Sequence, residues 1–223
     1  MKVSLALRAS TKYMFGVVIV AILIFLPAGS LEYWQGWLFM ATLFVPMLLT
    51  GVVMIVKSPS LLESRLKAKE EHREQDVVVK LSGLLFIAAF VVAGFNWRYA
   101  WLVLPDWIVW SAAVVFILCY LLYAEVMREN AYLSRTIEVQ EGQMVVDTGL
   151  YGVVRHPMYT ATTLLFLAMP LVLASPISLL IMLLYIPLII KRINHEERFL
   201  KVNLSGYVEY TERIKYRLIP YIW

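Results

Sequence analysis

Two short stretches hold most of the side chains that could do polar chemistry beside apolar sequence. They are Arg155-His156-Pro157-Met158-Tyr159 and Lys191-Arg192-Ile193-Asn194-His195-Glu196-Glu197-Arg198. Pro157 suits the first turn of a helix, so Arg155 and His156 stand at a helix start, where unpaired amides and the helix dipole favour an anion such as a carboxylate. Upstream, Gly142, Gly149 and Gly152 permit positive backbone angles and close approach of a ligand to the main chain. In the second stretch, a helix would put Arg192 and Glu196 on one face with His195 and Phe199 beside them, and Glu197 about a quarter turn away. Taken singly, each piece has an ordinary reading. Arg155 would be a topogenic arginine, His156 a hydrogen-bonded loop histidine, Tyr151 and Tyr159 interfacial anchors, and residues 191–198 a helix end emerging into water. The ordinary readings weaken if the fold brings both stretches to one membrane face.

The elements that must do this are set by composition. Apolar residues make up 61% of the 223 and charged ones 16%, which excludes an ordinary soluble domain and points to an all-α, polytopic membrane helix bundle. Apolar stretches at residues 13–28, 34–56, 78–97 and 107–127 each approach the roughly 20 helical residues that cross a bilayer. A fifth region, Thr160 to Ile190, is interrupted by Pro170 and by Ser175-Pro176. It reads as two short helices in a hairpin or as one long kinked helix. Lys and Arg accumulate on the cytoplasmic side of short loops. Here Lys2, Arg8 and Lys12 precede the first stretch, a basic run from Lys57 to Lys80 follows the second, Arg128, Arg135 and Arg155 follow the fourth, and another run follows Ile190. Arg98 alone falls in a loop on the other side. Both termini are therefore expected in the cytoplasm, which makes the last two of five to six segments a hairpin and brings the two polar stretches to one pocket on the cytoplasmic face. Trp34, Trp37, Trp97, Trp101, Trp107 and Trp110 cluster near the opposite turns as an aromatic belt would. The basic start, apolar run and Ala28-Gly29-Ser30 also resemble a secretory signal, but the first segment is read as a true helix.

The Lys57 to Lys80 stretch mixes Leu61, Leu62 and Leu66 with Glu63, Arg65, Glu70, Glu71, Arg73 and Glu74. It is expected as a helix at the membrane surface or packed on the cytoplasmic face, with His72 in a solvated connector. A lone Cys119 in an apolar run excludes a disulfide framework and suggests no metal site, and no nucleic-acid partner is expected. The whole chain is read as one membrane domain, with N-terminal helices and a cytoplasmic loop over 1–106 and the catalytic core over 107–223.

The run Gly149-Leu150-Tyr151-Gly152-Val153-Val154-Arg155-His156-Pro157-Met158-Tyr159, followed by Glu196-Glu197 and then Tyr207 and Tyr210, resembles the isoprenylcysteine carboxyl methyltransferase family and its phospholipid methyltransferase relatives. The resemblance covers roughly residues 110–223. It implies a membrane-embedded methyltransferase that uses S-adenosylmethionine without a soluble nucleotide-binding domain. By the family pattern the cofactor would be held by Gln140, by Gln143, Met144, Val145 and Val146, by Tyr151, and by His156, Pro157, Met158 and Tyr159. Glu196 would also reach it, Arg192 would face the methyl acceptor, and Glu197 would lie nearby. Ala161 and Pro220-Tyr221 depart from positions where the family usually has glycine.

Methyl transfer is an in-line displacement in which positive charge on sulfur disappears, so placement and a dry cavity can supply much of the rate without a metal. A carboxylate acceptor is already ionised near neutral pH and needs no base. Arg192 could orient it through two parallel hydrogen bonds. An amine acceptor must lose a proton, and Glu197 or His195 would then be candidate bases. A bundle without a soluble domain can admit a lipid sideways between helices, so the expected partners are membrane lipids and a lipidic or lipid-modified acceptor. Carboxyl O-methylation of an isoprenylcysteine-like substrate is the leading expectation and N-methylation of a phospholipid amine the alternative. Membrane sterol reductases that use NADPH carry a related arginine-histidine and tyrosine pattern, but usually with asparagine where Pro157 stands. Transport would call for ionisable residues in the middle of helices, and the first three apolar cores contain none.

Overall fold

The computed structural model describes residues 2–66, 73–134 and 136–223, and among these the regular structure is helical, without strands. Glu70, Glu71, His72 and Arg135 lie outside the described residues, as do the side chains of Lys2, Arg73 and Glu74. Five helical stretches are long and apolar enough to cross a membrane. They fall in α1 (Lys2–Ala28), α2 (Trp34–Lys57), α4 (Arg73–Tyr99), α5 (Asp106–Glu129) and the pair α7 (Pro176–Leu183) and α8 (Tyr185–Asn203). Short α3 (Pro59–Leu66) follows α2, α6 (Pro157–Val172) precedes α7, and α9 (Tyr207–Arg213) follows α8. This is an integral membrane helix bundle.

The region from Thr160 to Ile190 is a hairpin, and its turn falls at Leu173 to Ser175. Ser175 caps α7 by accepting from the Ser178 amide at 3.3 Å, and Pro176 occupies the first turn, where a missing N–H costs nothing. Pro170 lies inside α6 and does not end it, because the surrounding sequence is apolar and tightly packed. Between α7 and α8 the helix breaks at Leu184. Pro187 lacks the N–H that would otherwise bond the Leu183 carbonyl. At 16 residues, α6 is apolar but shorter than the five helical stretches long enough to cross a membrane. At one end the hairpin turn is held by the Tyr33 hydroxyl donating to the Leu173 carbonyl at 2.5 Å and by Asn96 Nδ2 donating to that of Ala174 at 3.2 Å. Trp34 and Trp110 stack at this end, with ring centroids 5.6 Å apart. At the other end, the start of α6 meets the end of α8. Both polar stretches therefore share one end of the bundle, opposite the tryptophans.

Small residues let the backbones approach, as membrane bundles require when lipid tails compete with side chains for apolar contact. Ala89, Ala93 and Gly94 of α4 pack under Ile24 and Ala28 of α1; a Cβ at Gly94 would stand 2.5 Å from the Ile24 carbonyl oxygen. The larger side chains Phe39, Phe116, Met169, Met182 and Ile189 fill the space between α2, α5, α6, α7 and α8.

The charged stretch after Lys57 is part helix. Leu61 and Leu62 of α3 are buried against Leu5, Met54 and Met127, and Lys12 Nζ donates to the Leu66 carbonyl at 2.6 Å. So α3 is packed onto α1, α2 and α5 instead of being a solvated connector. Helix α4 absorbs the charged residues from Arg73 onward.

Candidate active site

Arg155 and His156 lie between the one-turn 3-10 helix Gly149–Gly152 and α6. Their amides donate to the carbonyls of Tyr216 (2.9 Å) and Arg217 (2.9 Å), so a C-terminal segment runs alongside like a third strand of chain. The Thr160 hydroxyl adds a bond to the Leu218 carbonyl at 2.7 Å. The anion expected at this helix start is present, and it belongs to the protein. Arg155 Nε donates to Glu197 Oε1 at 2.7 Å and His156 Nε2 stands 3.2 Å from the same oxygen, while Arg217 Nε donates to Oε2 at 3.0 Å. Arg155 Nη1 is occupied by the Ile214 (2.6 Å) and Lys215 (2.9 Å) carbonyls. Glu197 is only 3% exposed, so this cluster is a buried clamp joining α6, α8 and the C-terminal segment. Glu197, expected near the acceptor, has its carboxylate engaged by Arg155, His156 and Arg217. About a quarter turn beyond Glu196 on α8, it enters the clamp and lines neither cavity.

The 3-10 helix is set by Gly149, whose φ of +51° suits glycine and whose Cα lies against the Glu129 carboxylate, so that any Cβ would collide with it. Glu129 Oε2 in turn accepts from the Leu150 amide at 3.0 Å, and Asn130 Nδ2 donates to the Tyr151 hydroxyl at 3.0 Å. The end of α5 thus fixes Tyr151. Tyr210 closes the other side by donating to the Tyr151 carbonyl at 2.8 Å. Gly149→Ala combines the left-handed penalty of about 1–2 kcal/mol with the Glu129 collision. We expect the purified protein to lose several degrees of thermal stability, read by a melting scan in detergent; Gly152→Ala is the control, because its Cβ would meet only the Asp147 carbonyl oxygen at 3.2 Å.

A cleft opens between these parts, enclosing about 820 Å³ with the open space at its mouth. Of the residues assigned to the cofactor by resemblance, Gln143, Met144, Val145, Val146, Tyr151, His156, Met158, Tyr159 and Glu196 line it. Gln140 and Pro157 do not. Gln140 stands behind the wall, with its amide N–H donating to Gln143 Oε1 at 2.9 Å and its Nε2 to the Tyr132 carbonyl at 2.8 Å; Pro157 starts α6. Tyr132, Glu138, Tyr207 and Tyr210 complete the walls. The Tyr207 hydroxyl is buried and has no hydrogen-bond partner among the described residues, and burial pushes this phenol well above its ordinary pKa, so it stays an O–H donor.

One relay lies at the edge of this cleft. Arg192 Nε donates to the Tyr159 hydroxyl at 2.8 Å, and that hydroxyl donates to Glu196 Oε2 at 2.6 Å. The His156 and Tyr159 rings lie 5.7 Å apart. On the far side of Tyr159 is a second, largely apolar groove between α4, α6 and α8, and Ser134, Met158, Tyr159 and Arg192 line both cavities. At this junction a polar and an apolar cavity meet on shared side chains.

Spacing could not have revealed the third partner of Glu197, Arg217, because it comes from 20 residues downstream through an irregular segment. Glu129 and Asn130 were equally hidden. At the end of a helix they read as solvated polar residues, and it is the missing Cβ of Gly149 that lets the Glu129 carboxylate reach the Leu150 amide.

No curated protein matches the chain. Residues 107–205, which run from α5 through α8 and carry all four residues shared by the two cavities, match the phospholipid methyltransferase family of membrane methyltransferases, relatives of the isoprenylcysteine enzymes.

Proposed function

We propose that the protein is an S-adenosylmethionine-dependent methyltransferase whose acceptor is a lipid or lipid-modified molecule, with carboxyl O-methylation the leading reaction. The observation that carries this is the junction: a polar, tyrosine-lined cleft and an apolar groove share Met158, Tyr159 and Arg192. The cleft's own groups suit the donor. Glu138 and Glu196 supply negative charge for an ammonium or sulfonium, tyrosine faces add cation–π attraction, and Tyr207 offers an unused buried donor. When bound, the cofactor supplies an electrophilic methyl group on a positively charged sulfur.

The chain's residues would then do three things. Tyr159 and Glu196 hold the donor side, with the tyrosine O–H fixed by Glu196. Arg192, on the other side of the same hydroxyl, orients the acceptor. The apolar wall of Met158 and its neighbours excludes water, which would otherwise solvate the nucleophile. A guanidinium at the junction favours a carboxylate acceptor, which needs no base. Glu197, one of the two residues that could have served as base for an amine, is engaged by Arg155, His156 and Arg217. N-methylation of a phospholipid amine is the second reading, favoured by the family match over residues 107–205. The arrangement of basic residues supports a cytoplasmic position for the cleft and both termini.

The test incubates purified protein with methyl-labelled S-adenosylmethionine and total membrane lipid. Label released as methanol by mild base supports a methyl ester, and base-stable label in lipid supports N-methylation. Calorimetric binding of NADPH with none of S-adenosylmethionine would overturn the methyltransferase reading in favour of a reductase.

A further inference from the structure

The apolar groove carries an asymmetry of charge. Val78, Val79 and Phe86 of α4, Phe166 of α6 and Tyr185 of α8 form its walls, and its charged lining residues are two arginines, Arg65 and Arg192, with no carboxylate among the lining residues. Arg192 belongs to the relay that ends on Glu196. Arg65 is different, because its contacts among the described residues are all neutral. Nη1 donates to the Ser134 carbonyl at 3.2 Å and lies 3.5 Å from Met158 Sδ, Nη2 donates to the Tyr123 hydroxyl, and the guanidinium lies 5.5 Å from the centroid of the Tyr123 ring. These contacts fix the guanidinium in place, and no carboxylate among the described residues compensates its charge. Elsewhere at this end of the bundle, Arg155 and Arg217 share Glu197, and Arg213 meets Asp147. A half-buried cation with only neutral partners, beside an apolar groove, attracts an anion more strongly than an exposed one would.

Arg65 also has an unusual origin. It sits on α3, outside the 107–205 match, and α3 is anchored by Leu61 and Leu62 against α1, α2 and α5. The N-terminal helices thus deliver a fixed positive charge to Met158, the residue next to Tyr159 of the relay.

We propose that Arg65 is a headgroup-positioning residue: it holds an anionic oxygen group, carboxylate or phosphodiester, of the acceptor lipid whose apolar chain lies in the groove. The proposal rests on reading the junction as the site of methyl transfer. It assigns the N-terminal half a part in acceptor selection: Arg65 reads the anion, and Arg192 presents the reacting atom to the cleft. The anion is remote from the reacting atom, so Arg65 holds the acceptor equally in the ground state and the transition state, and its contribution is to acceptor binding.

The test labels the full chain in neutral maltoside micelles with photoactivatable diazirine lipids in two matched pairs: a fatty acid against the fatty alcohol of the same chain, and phosphatidylglycerol against diacylglycerol. Label in the α4 peptide spanning Val78 to Phe86 is quantified by mass spectrometry. The anionic member of at least one pair should label about tenfold more than its neutral partner, the factor expected of one charge-assisted bond. Arg65→Gln should abolish that preference and Arg65→Lys should retain it. Gly83→Trp should block labelling by every probe, since a side chain there would enter the groove that Gly83 lines. Equal labelling within both pairs of the wild type, or an unchanged preference in Arg65→Gln, would overturn the proposal. Labelling requires no turnover, so a protein that shows the preference but transfers no methyl group would refute the proposed activity alone. On the active enzyme, Arg65→Gln should raise KM for the acceptor about tenfold and change kcat little, and the Kd for S-adenosylmethionine should stay as in the wild type.

Discussion

Arg192→Ala should lower kcat by about a hundred- to a thousandfold, the usual effect of removing one preorganised donor from a reacting centre, while S-adenosylmethionine still binds. The split follows from the relay. The Tyr159 hydroxyl donates to Glu196, so losing Arg192 removes the group that donates to Tyr159 and leaves the tyrosine–glutamate bond intact. Donor-side contacts in the cleft therefore persist, and what disappears is the cation at the mouth of the apolar groove. Arg192→Lys should recover little, because an ammonium keeps the charge but cannot hold the Tyr159 oxygen and an acceptor oxygen in one plane. Tyr159→Phe should weaken both sides at once, since that hydroxyl bonds both Arg192 and Glu196. The measurement is kcat and KM for methyl transfer alongside calorimetric Kd for S-adenosylmethionine. Wild-type turnover in Arg192→Ala would remove Arg192 from the mechanism. A parallel loss of cofactor binding would mean that it serves the donor and not the acceptor. A strong salt bridge to a carboxylate acceptor would stabilise the ground state as much as the transition state, so the role that fits is positioning.

The large features of this fold can be read from the residues because membrane burial is a one-dimensional constraint. Twenty apolar residues must be helical to satisfy their own backbone, and the positions of Lys and Arg gave the hairpin before any contact was known. The convergence of residues 155–159 with 191–198 follows from that hairpin alone. The chemistry within the site is less legible. Arg155 and Glu197 pointed to an anion site and to an acceptor contact, and together they form an internal clamp. Sequence spacing sets which face of α8 a residue occupies, but not which partner waits there. The partner segment, residues 214–218, has no periodic pattern to announce it. Arg65 was hidden by its surroundings for the opposite reason. A dense mix of charges around α3 reads as solvated surface, and only packing of Leu61 and Leu62 turns one of those charges inward.

Glu197→Gln tests the clamp, and its outcome separates two roles that the same residue could play. As a base or acceptor contact, Glu197 could be replaced by the isosteric amide with the fold and cofactor binding preserved and turnover lost. The geometry leads to a different result. Glutamine cannot balance two guanidinium groups, one of them on Arg155, whose side chain is 7% exposed. Removing one partner from a buried ion cluster generally costs about 3–5 kcal/mol because it strands the remaining charge. That cost should appear first where the clamp is weakest, at the C-terminal segment, which is tied to α6 by the Arg155 and His156 amides and by Thr160. We expect trypsin to cut after Arg213, Lys215 or Arg217 at least about tenfold faster in Glu197→Gln than in the wild type, with S-adenosylmethionine affinity falling together with this protection, since Tyr207 and Tyr210 of the adjoining helix line the cleft. The two arginines should rank unequally. Arg155→Met removes the buried member together with its bonds to the Ile214 and Lys215 carbonyls, whereas Arg217→Met removes a partner whose side chain is 29% exposed and screened by water. Arg155→Met should therefore open the segment more than Arg217→Met. An intact segment and unaltered cofactor binding in Glu197→Gln, with turnover abolished, would return Glu197 to the reacting centre.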